Sequence, residues 1–343
     1  FRTIVPDYPT VSELIAADVV QGVSLTGSTD VGRRLGAEAG RHLKKVVLEL
    51  GGSDPVIVLD DADLDFTVAG AVTGRMLATG QSCIASKRFI VTRGIADEFA
   101  ARFATRMEAL TVGDPTDPAT EVGAMVGEAA VAELEEQLAQ SVALGATVRC
   151  GGRRLPGPGA FFPPTVVTGC RPGMRLVDEE VFGPIAPVIA VADADEAVAV
   201  ANRSEFGLGG SVWTRDLAVS GEALTNYRNA YFQLLTPRFK AIMIQLMPSL
   251  SGLDLRFRQG WDKQSSYAEA LANSDGSDRE QGFTHVGPQR ADLRVLVNGH
   301  LAAETLSRGQ QKLVVCGLKL AQGQLMAEMG EKHCIYLVDD LPS

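Results

Sequence analysis

The run Lys45-Val46-Val47-Leu48-Glu49-Leu50 stops at Gly51-Gly52, and a second apolar run, Pro55-Val56-Ile57-Val58-Leu59, follows almost at once. Short β-branched runs cut off by glycine read as buried strands ending in turns. A helical stretch from Leu64 to about Thr79 comes next, then the run Phe89–Thr92. Ile95–Leu110 then places Phe99 and Phe103 on one helix face at i, i+4. Strand and helix alternate between short Gly/Pro turns. This order points to an α/β fold with a mainly parallel sheet.

Gly80-Gln81-Ser82-Cys83 lies in a small, polar segment between two such elements. A cysteine on a connecting loop is exposed enough to react, whereas a structural cysteine usually sits inside an apolar run. Glu49 closes the first strand. An acid at a strand end and a thiol on a loop are the residue types that nucleophilic catalysis with a general base requires. Upstream, Val23-Ser24-Leu25 reads as a strand and Ser12–Val20 as a short helix. Gly27-Ser28-Thr29 opens a helix over roughly Val31–His42, whose N-terminus suits a phosphate. A plain N-cap at Ser28 or Thr29 accounts for the same residues. Asp60-Asp61-Ala62-Asp63 lacks the spacing of a calcium loop and reads as a helix cap. Glu128–Gly145 carries an apolar stripe at Val131, Leu134 and Leu138. A strand edge is expected at Phe161-Phe162, a helix at Ala194–Asn202 and a turn and strand over Phe206–Trp213.

LELGG, GQSC, the upstream Leu25–Gly32 and the downstream Glu179-Glu180-Val181-Phe182-Gly183-Pro184 stand in the order found in aldehyde dehydrogenases. The chain resembles that family over about residues 10–218, and within it the bacterial succinate-semialdehyde dehydrogenase branch. The resemblance implies Cys83 as nucleophile, its N–H as half of an oxyanion hole, and Glu49 as the base that activates water. It implies a nicotinamide cofactor, NAD or NADP, held by Thr26, Gly27, Ser28, Gly32, Leu50, Gly51, Glu180 and Phe182. Glu180 would meet the ribose hydroxyls, and Phe182 would pack beside the nicotinamide. The substrate would be a small-molecule aldehyde such as succinic semialdehyde. Residues 1–50 would end a dinucleotide-binding domain that lies largely upstream, along with an Asn of the oxyanion hole, and residues 51–218 would form the catalytic domain.

Charge and aromatic content change near residue 219. Residues 219–343 hold 13 Lys+Arg and 13 Asp+Glu, so the net charge of −10 resides entirely in the first 218 residues. A long helix is expected over Asn226–Leu246. Leu306-Ser307-Arg308-Gly309-Gln310, followed by an apolar stretch, places a hydroxyl and a glycine amide at a helix start, an arrangement that can face a phosphate. Cys334–Asp340 reads as a strand ending in two carboxylates, suited to Mg²⁺ and phosphoryl transfer. Residues 220–343 resemble the C-terminal half of RecF, a DNA-repair ATPase of the ABC/SMC class. That resemblance implies an α/β ATPase fragment with Ser307, Gly309 and Gln310 in its signature. Asp339 would sit on the metal and Asp340 would polarise water, with ATP and Mg as ligands and DNA as a partner. His285 and Arg290 are read as turn and surface residues.

The whole chain is therefore expected to join two incomplete proteins, with activity impaired in both. Both resemblances imply an oligomer, which the incomplete state of each part puts in doubt. Hydrophobic residues make up 45% and charged residues 22%, an ordinary globular composition. No apolar run approaches the ~18 residues of a membrane span. Five cysteines without a CxxC pair, and no export pattern after Phe1, point to a reducing cytoplasm.

Overall fold

The structure, a computed structural model, describes residues 3–281 and 284–328. The chain divides into two compact units, Phe1–Arg215 and Asp216–Ser343.

The first unit begins with α1 (Tyr8–Ala16), β1 (Gly22–Thr26), α2 (Thr29–Arg41) and β2 (Lys45–Glu49). It continues with β3 (Asp54–Val58), α3 (Leu64–Met76), β4 (Ser86–Thr92), α4 (Arg93–Glu108), α5 (Glu128–Ala143), β5 (Thr147–Cys150) and β6 (Thr165–Thr168). The last elements are α6 (Arg175–Asp178), β7 (Ile185–Val191), α7 (Ala194–Asn202) and β8 (Ser211–Trp213). Six strands form one sheet in the order β5-β6-β7-β4-β3-β8, parallel throughout except for the β5–β6 pair.

Both faces of this sheet are covered, which is why its strands are apolar at successive positions rather than alternating. Val56, Val58, Phe89, Val91 and Val188 point to one side, onto Phe99, Phe103 and Met107 of α4. Ile57, Ile90 and Ile189 point to the other, onto Val131, Leu134 and Leu138 of α5 and Ala197 and Val200 of α7. Phe89, Phe99 and Phe103 form a tilted aromatic cluster with centroids 4.8–6.3 Å apart.

Several boundaries and one burial expectation are corrected. The first helix starts at Tyr8, because Asp7 caps it by accepting the Thr10 N–H at 3.0 Å. Phe161-Phe162 lies outside any strand, although Phe162 is fully buried. β2 is not buried. Among the described residues it pairs only with β1, in a two-stranded parallel sheet, and Val46 and Val47 are 40% and 57% exposed. The α1–α2 layer, through Ile15, Leu35 and Ala39, packs against Val23, Leu25 and Leu48 of this pair. An apolar run says that a strand can be buried, but only a second packed layer makes it so.

The second unit contains α8 (Leu217–Leu246), β9 (Leu253–Arg258), α9 (Tyr267–Gln281), β10 (Asp292–Val297), β11 (His300–Leu301), α10 (Ala302–Thr305) and α11 (Arg308–Glu328). Its sheet is antiparallel in the order β11-β10-β9. Phe239, Met243 and Met247 pack with Leu255, Val314, Ala321 and Leu325. α8 starts at Leu217, nine residues before the expected Asn226, and runs through Pro237. His285 sits beside Asp278, its N–H and Nδ1 2.9 and 2.5 Å from Oδ1. Among the described residues no helix is long and apolar enough to cross a membrane.

Candidate active site

Three irregular segments meet at one end of the first unit's strands: 50–53 after β2, 80–85 before β4, and 179–184 before β7. Gly52 is required by space, and Gly51 lies against the movable Glu180 carboxylate. A Cβ on Gly51 would lie 2.2 Å from Glu180 Oε2, and one on Gly52 would lie 2.5 Å from the Cys83 carbonyl oxygen. The Gly52 N–H donates to Glu180 Oε1 at 3.1 Å, across 128 positions of sequence. The turn that leaves Glu49 is thus threaded between the Cys83 backbone and the Glu180 carboxylate.

The α2 segment joins the same region. Thr26 pairs with Glu49 in the β1–β2 register, and the Gly27 N–H donates to Glu49 O at 3.0 Å. A Cβ on Gly32 would meet Leu50 Cδ2 at 2.5 Å, so glycine lets α2 close onto Leu50. Ser28 caps α2, its Oγ accepting the Val31 N–H at 3.4 Å, as the plain capping alternative holds. Glu49 is exposed, and Cys83 is partly exposed. Phe182 is 42% exposed, unlike a core phenylalanine.

The Cys83 loop is entered through strained backbone. α3 ends at Met76, short of the expected Thr79, because Ala78 and Thr79 take φ of 51° and 60°. Gly80 follows at φ 73°, with no room for a Cβ between the Gly183 oxygen and Arg75 Nη2. Left-handed non-glycine residues cost about 1–2 kcal/mol each and collect at functional sites. Gln81 fastens the loop outward: its Oε1 accepts the Val126 N–H at 2.8 Å.

Three buried cations under these segments were not anticipated from sequence. Arg75 is fully buried and donates to Ser86 O at 2.7 Å, to Gly80 O and Val181 O at 3.0 Å, and to Gly183 O. Burial pushes its pKa down to about 9, against the opposing pull of Glu180. Lys87 donates to Ser82 O and Cys83 O, and Arg88 to Ser53 O, Val200 O and Ala201 O. Burial lowers the pKa of both, while Glu180 raises that of Lys87 and Asp54 that of Arg88. The adjacent pair Lys87-Arg88 in the run SKRFIVT was the available signal, since a cation in a strand covered on both faces must find acceptors.

Among the described residues the cysteines are all unpaired. Burial raises the Cys150 thiol and pushes Cys170 up to about 12, so neither forms thiolate readily. Asp60 accepts the Thr92 hydroxyl, Asp61 the Thr214 hydroxyl, and Asp63 the Phe66 N–H that caps α3. In the second unit Ser307 and Gln310 exchange hydrogen bonds at the start of α11, and Gly309 lies in its first turn. Asp339 and Asp340 lie outside the described residues.

The aldehyde dehydrogenase family model matches residues 3–232, reaching past the expected limit of 218. Succinate-semialdehyde dehydrogenase [NADP(+)] 1 of Mycobacterium tuberculosis H37Rv is 50% identical over 216 residues, 63% of this chain and 47% of that protein. The solved structure of Gox0499 is 41% identical with a TM-score of 0.62, over 64% of this chain and 48% of that one. The succinate-semialdehyde dehydrogenase of Burkholderia pseudomallei is 40% identical with a TM-score of 0.60, over 62% and 45%. The chain spans about half the length of the curated relatives it matches. With a family model covering well over half of its length, the chain belongs to the aldehyde dehydrogenase family.

Proposed function

We propose that the first unit carries the thiol chemistry of an NADP-dependent aldehyde oxidation, with succinic semialdehyde as substrate. The observation that carries this reading is Gly52, which hydrogen-bonds Glu180 and abuts the Cys83 carbonyl while leading directly from Glu49. The sharing of adjoining backbone by Cys83, Glu180 and the turn after Glu49 supports reading them as nucleophile, cofactor-side acid and base. The similarity to relatives named for NADP and succinate semialdehyde supports the choice of cofactor and substrate.

Cys83 as thiolate attacks the aldehyde carbon, forming the C–S bond and a thiohemiacetal whose oxygen the Cys83 N–H would stabilise. When bound, a nicotinamide dinucleotide supplies the hydride acceptor. Residues present here fit such a group: Glu180 keeps about a fifth of its side chain exposed, the Phe182 ring stands half-exposed, and the start of α2 lies beside Leu50. Cys83 is left bearing the acyl group as a thioester. Glu49 takes a proton from water, whose oxygen attacks that thioester, and Cys83 leaves as thiolate while the acid is released. The reaction needs a reduced thiol, in keeping with a cytoplasmic setting and the unpaired cysteines.

The test is NADP⁺ reduction by the purified full chain with succinic semialdehyde. Activity abolished in Cys83→Ala supports the reading. In Glu49→Gln a single burst of NADPH without turnover is expected. Turnover that survives Cys83→Ala overturns it.

For the second unit we propose a RecF-like ATPase portion on the resemblance of residues 220–343 alone. The LSRGQ stretch opens a 21-residue helix, where Ser307 and Gln310 form an ordinary capping box. ATP affinity lost in Asp339→Ala supports this second reading, and absence of ATP binding removes it.

A further inference from the structure

Lys87 projects from β4 with no exposed side-chain surface. An ammonium buried so completely needs an acceptor for each of its three hydrogens. It has three: Ser82 O at 2.6 Å, Cys83 O at 2.9 Å and Glu180 Oε1 at 3.3 Å. Two of them are the consecutive carbonyls that flank the Cys83 side chain.

A trans peptide is planar, with its C=O and the following N–H pointing in opposite directions. Drawing the Ser82 carbonyl inward to Lys87 therefore turns the Cys83 N–H outward. Drawing the Cys83 carbonyl inward does the same for the Ile84 N–H. Ile84 itself is 60% exposed, so the loop reaches the surface at this point. The loop's own hydrogen bond, Ala85 N–H to Ser82 O at 3.2 Å, uses the carbonyl side as well. Among the described residues no backbone carbonyl accepts the Cys83 N–H.

We propose that Lys87 is a positioning residue for the chemistry at Cys83: its ammonium fixes two successive peptide groups so that their N–H groups, and not their carbonyls, face a bound carbonyl substrate. The inference rests on the reading of Cys83 as nucleophile. It adds a residue that touches neither substrate nor cofactor but aims the donor for the developing oxyanion. Through Glu180 the same ammonium ties that donor to the segment on the cofactor side.

Two reagents separate aim from mere exposure. p-Nitrophenyl acetate acylates Cys83 through a tetrahedral oxyanion: a C–S bond forms, the C–O bond breaks and p-nitrophenolate leaves. Iodoacetamide alkylates the same sulfur by direct displacement of iodide, with no oxyanion. Both rates are read on the Cys83 peptide of the full chain by mass spectrometry, with Cys150 and Cys170 as buried controls. In Lys87→Met, acylation is expected to fall about tenfold or more while alkylation stays within about twofold. Lys87→Arg, which keeps a cation in reach of the carbonyls, is expected to restore much of the difference.

An unchanged ratio in Lys87→Met, with the wild type reactive to both reagents, overturns the role of Lys87 alone. A wild-type Cys83 inert to both reagents overturns the nucleophile reading and this inference with it. Should Cys150 and Cys170 also label in Lys87→Met, the fold has been lost, and Lys87→Gln carries the comparison under the same criteria.

Discussion

Replacing Arg75 with methionine would keep most of the apolar stem and remove the guanidinium. Four carbonyls then lose a donor: Ser86 O, Gly80 O, Val181 O and Gly183 O. Gly183 O keeps the Ile185 N–H at 2.9 Å, so the cost falls chiefly on Ser86, Gly80 and Val181. A buried acceptor left bare costs about 1–3 kcal/mol. Relief from burying the cation, the cause of Arg75's fall to about 9, offsets part of this. The net expectation is about 3 kcal/mol, a large part of the ~5–15 kcal/mol that holds a domain together. Because the chain has two units, the assay must separate them. Hydrogen exchange by mass spectrometry does so, by comparing β4 and α4 peptides with α11 peptides. Protection should fall by about two orders of magnitude in the first unit and stay unchanged in the second. A first-unit loss below about 1 kcal/mol would refute the reasoning, because it would mean that these carbonyls find water or other donors without Arg75.

Gly52→Ala places a methyl 2.5 Å from the Cys83 oxygen and 2.8 Å from Leu208 Cδ1. Its expected cost is about 1–3 kcal/mol, with a slowed Cys83 alkylation as the more sensitive readout. Ala78→Gly removes a left-handed alanine at φ 51° and should stabilise by about 0.5–1 kcal/mol in denaturant melts, net of the extra freedom of the unfolded chain. Glu179 accepts from Arg175 Nε at 2.8 Å, which, with help from Gln137, holds its carboxyl below the ordinary 4.5. Its contribution is thus present above about pH 4.5 and lost as pH falls through the lowered native value. Glu179→Gln should flatten stability against pH below that point, by under about 1 kcal/mol because the pair is partly exposed.

Local chemistry made much of this fold readable in the sequence. Ser28 and Asp63 cap the helices that they precede, and Val131, Leu134 and Leu138 turn one face of α5 inward. Each of these follows from spacing within a few residues. Contact between Gly52 and Glu180 has no such local code, and across 128 positions nothing in the sequence announced it. The exposed face of β2 was misjudged because burial depends on what packs on a strand, which its own residues do not state. The early end of α3 went unseen for a related reason: Ala78 and Thr79 have no intrinsic preference for φ > 0, so tertiary contacts impose it.

The cations beneath the site differ from buried ion pairs in a way that bears on how the loops can vary. A buried pair can be replaced on both sides by apolar residues of like volume, often without loss of stability. Arg75, Lys87 and Arg88 bond mainly to backbone carbonyls, and no substitution deletes a carbonyl. Segments 50–53, 80–85 and 179–184 lack the ladders that would otherwise satisfy those oxygens. One long side chain rooted in α3 or β4 supplies several donors at once, so regular elements fix the position of irregular ones. The acceptors belong to two segments for Arg75, through Gly80 and Val181, and for Lys87, through Cys83 and Glu180. Removing either cation therefore frees two loops together. Double substitution at 75 and 87 is expected to be less than additive in its effect on Cys83 acylation, because each alone already loosens the segment that carries the thiol.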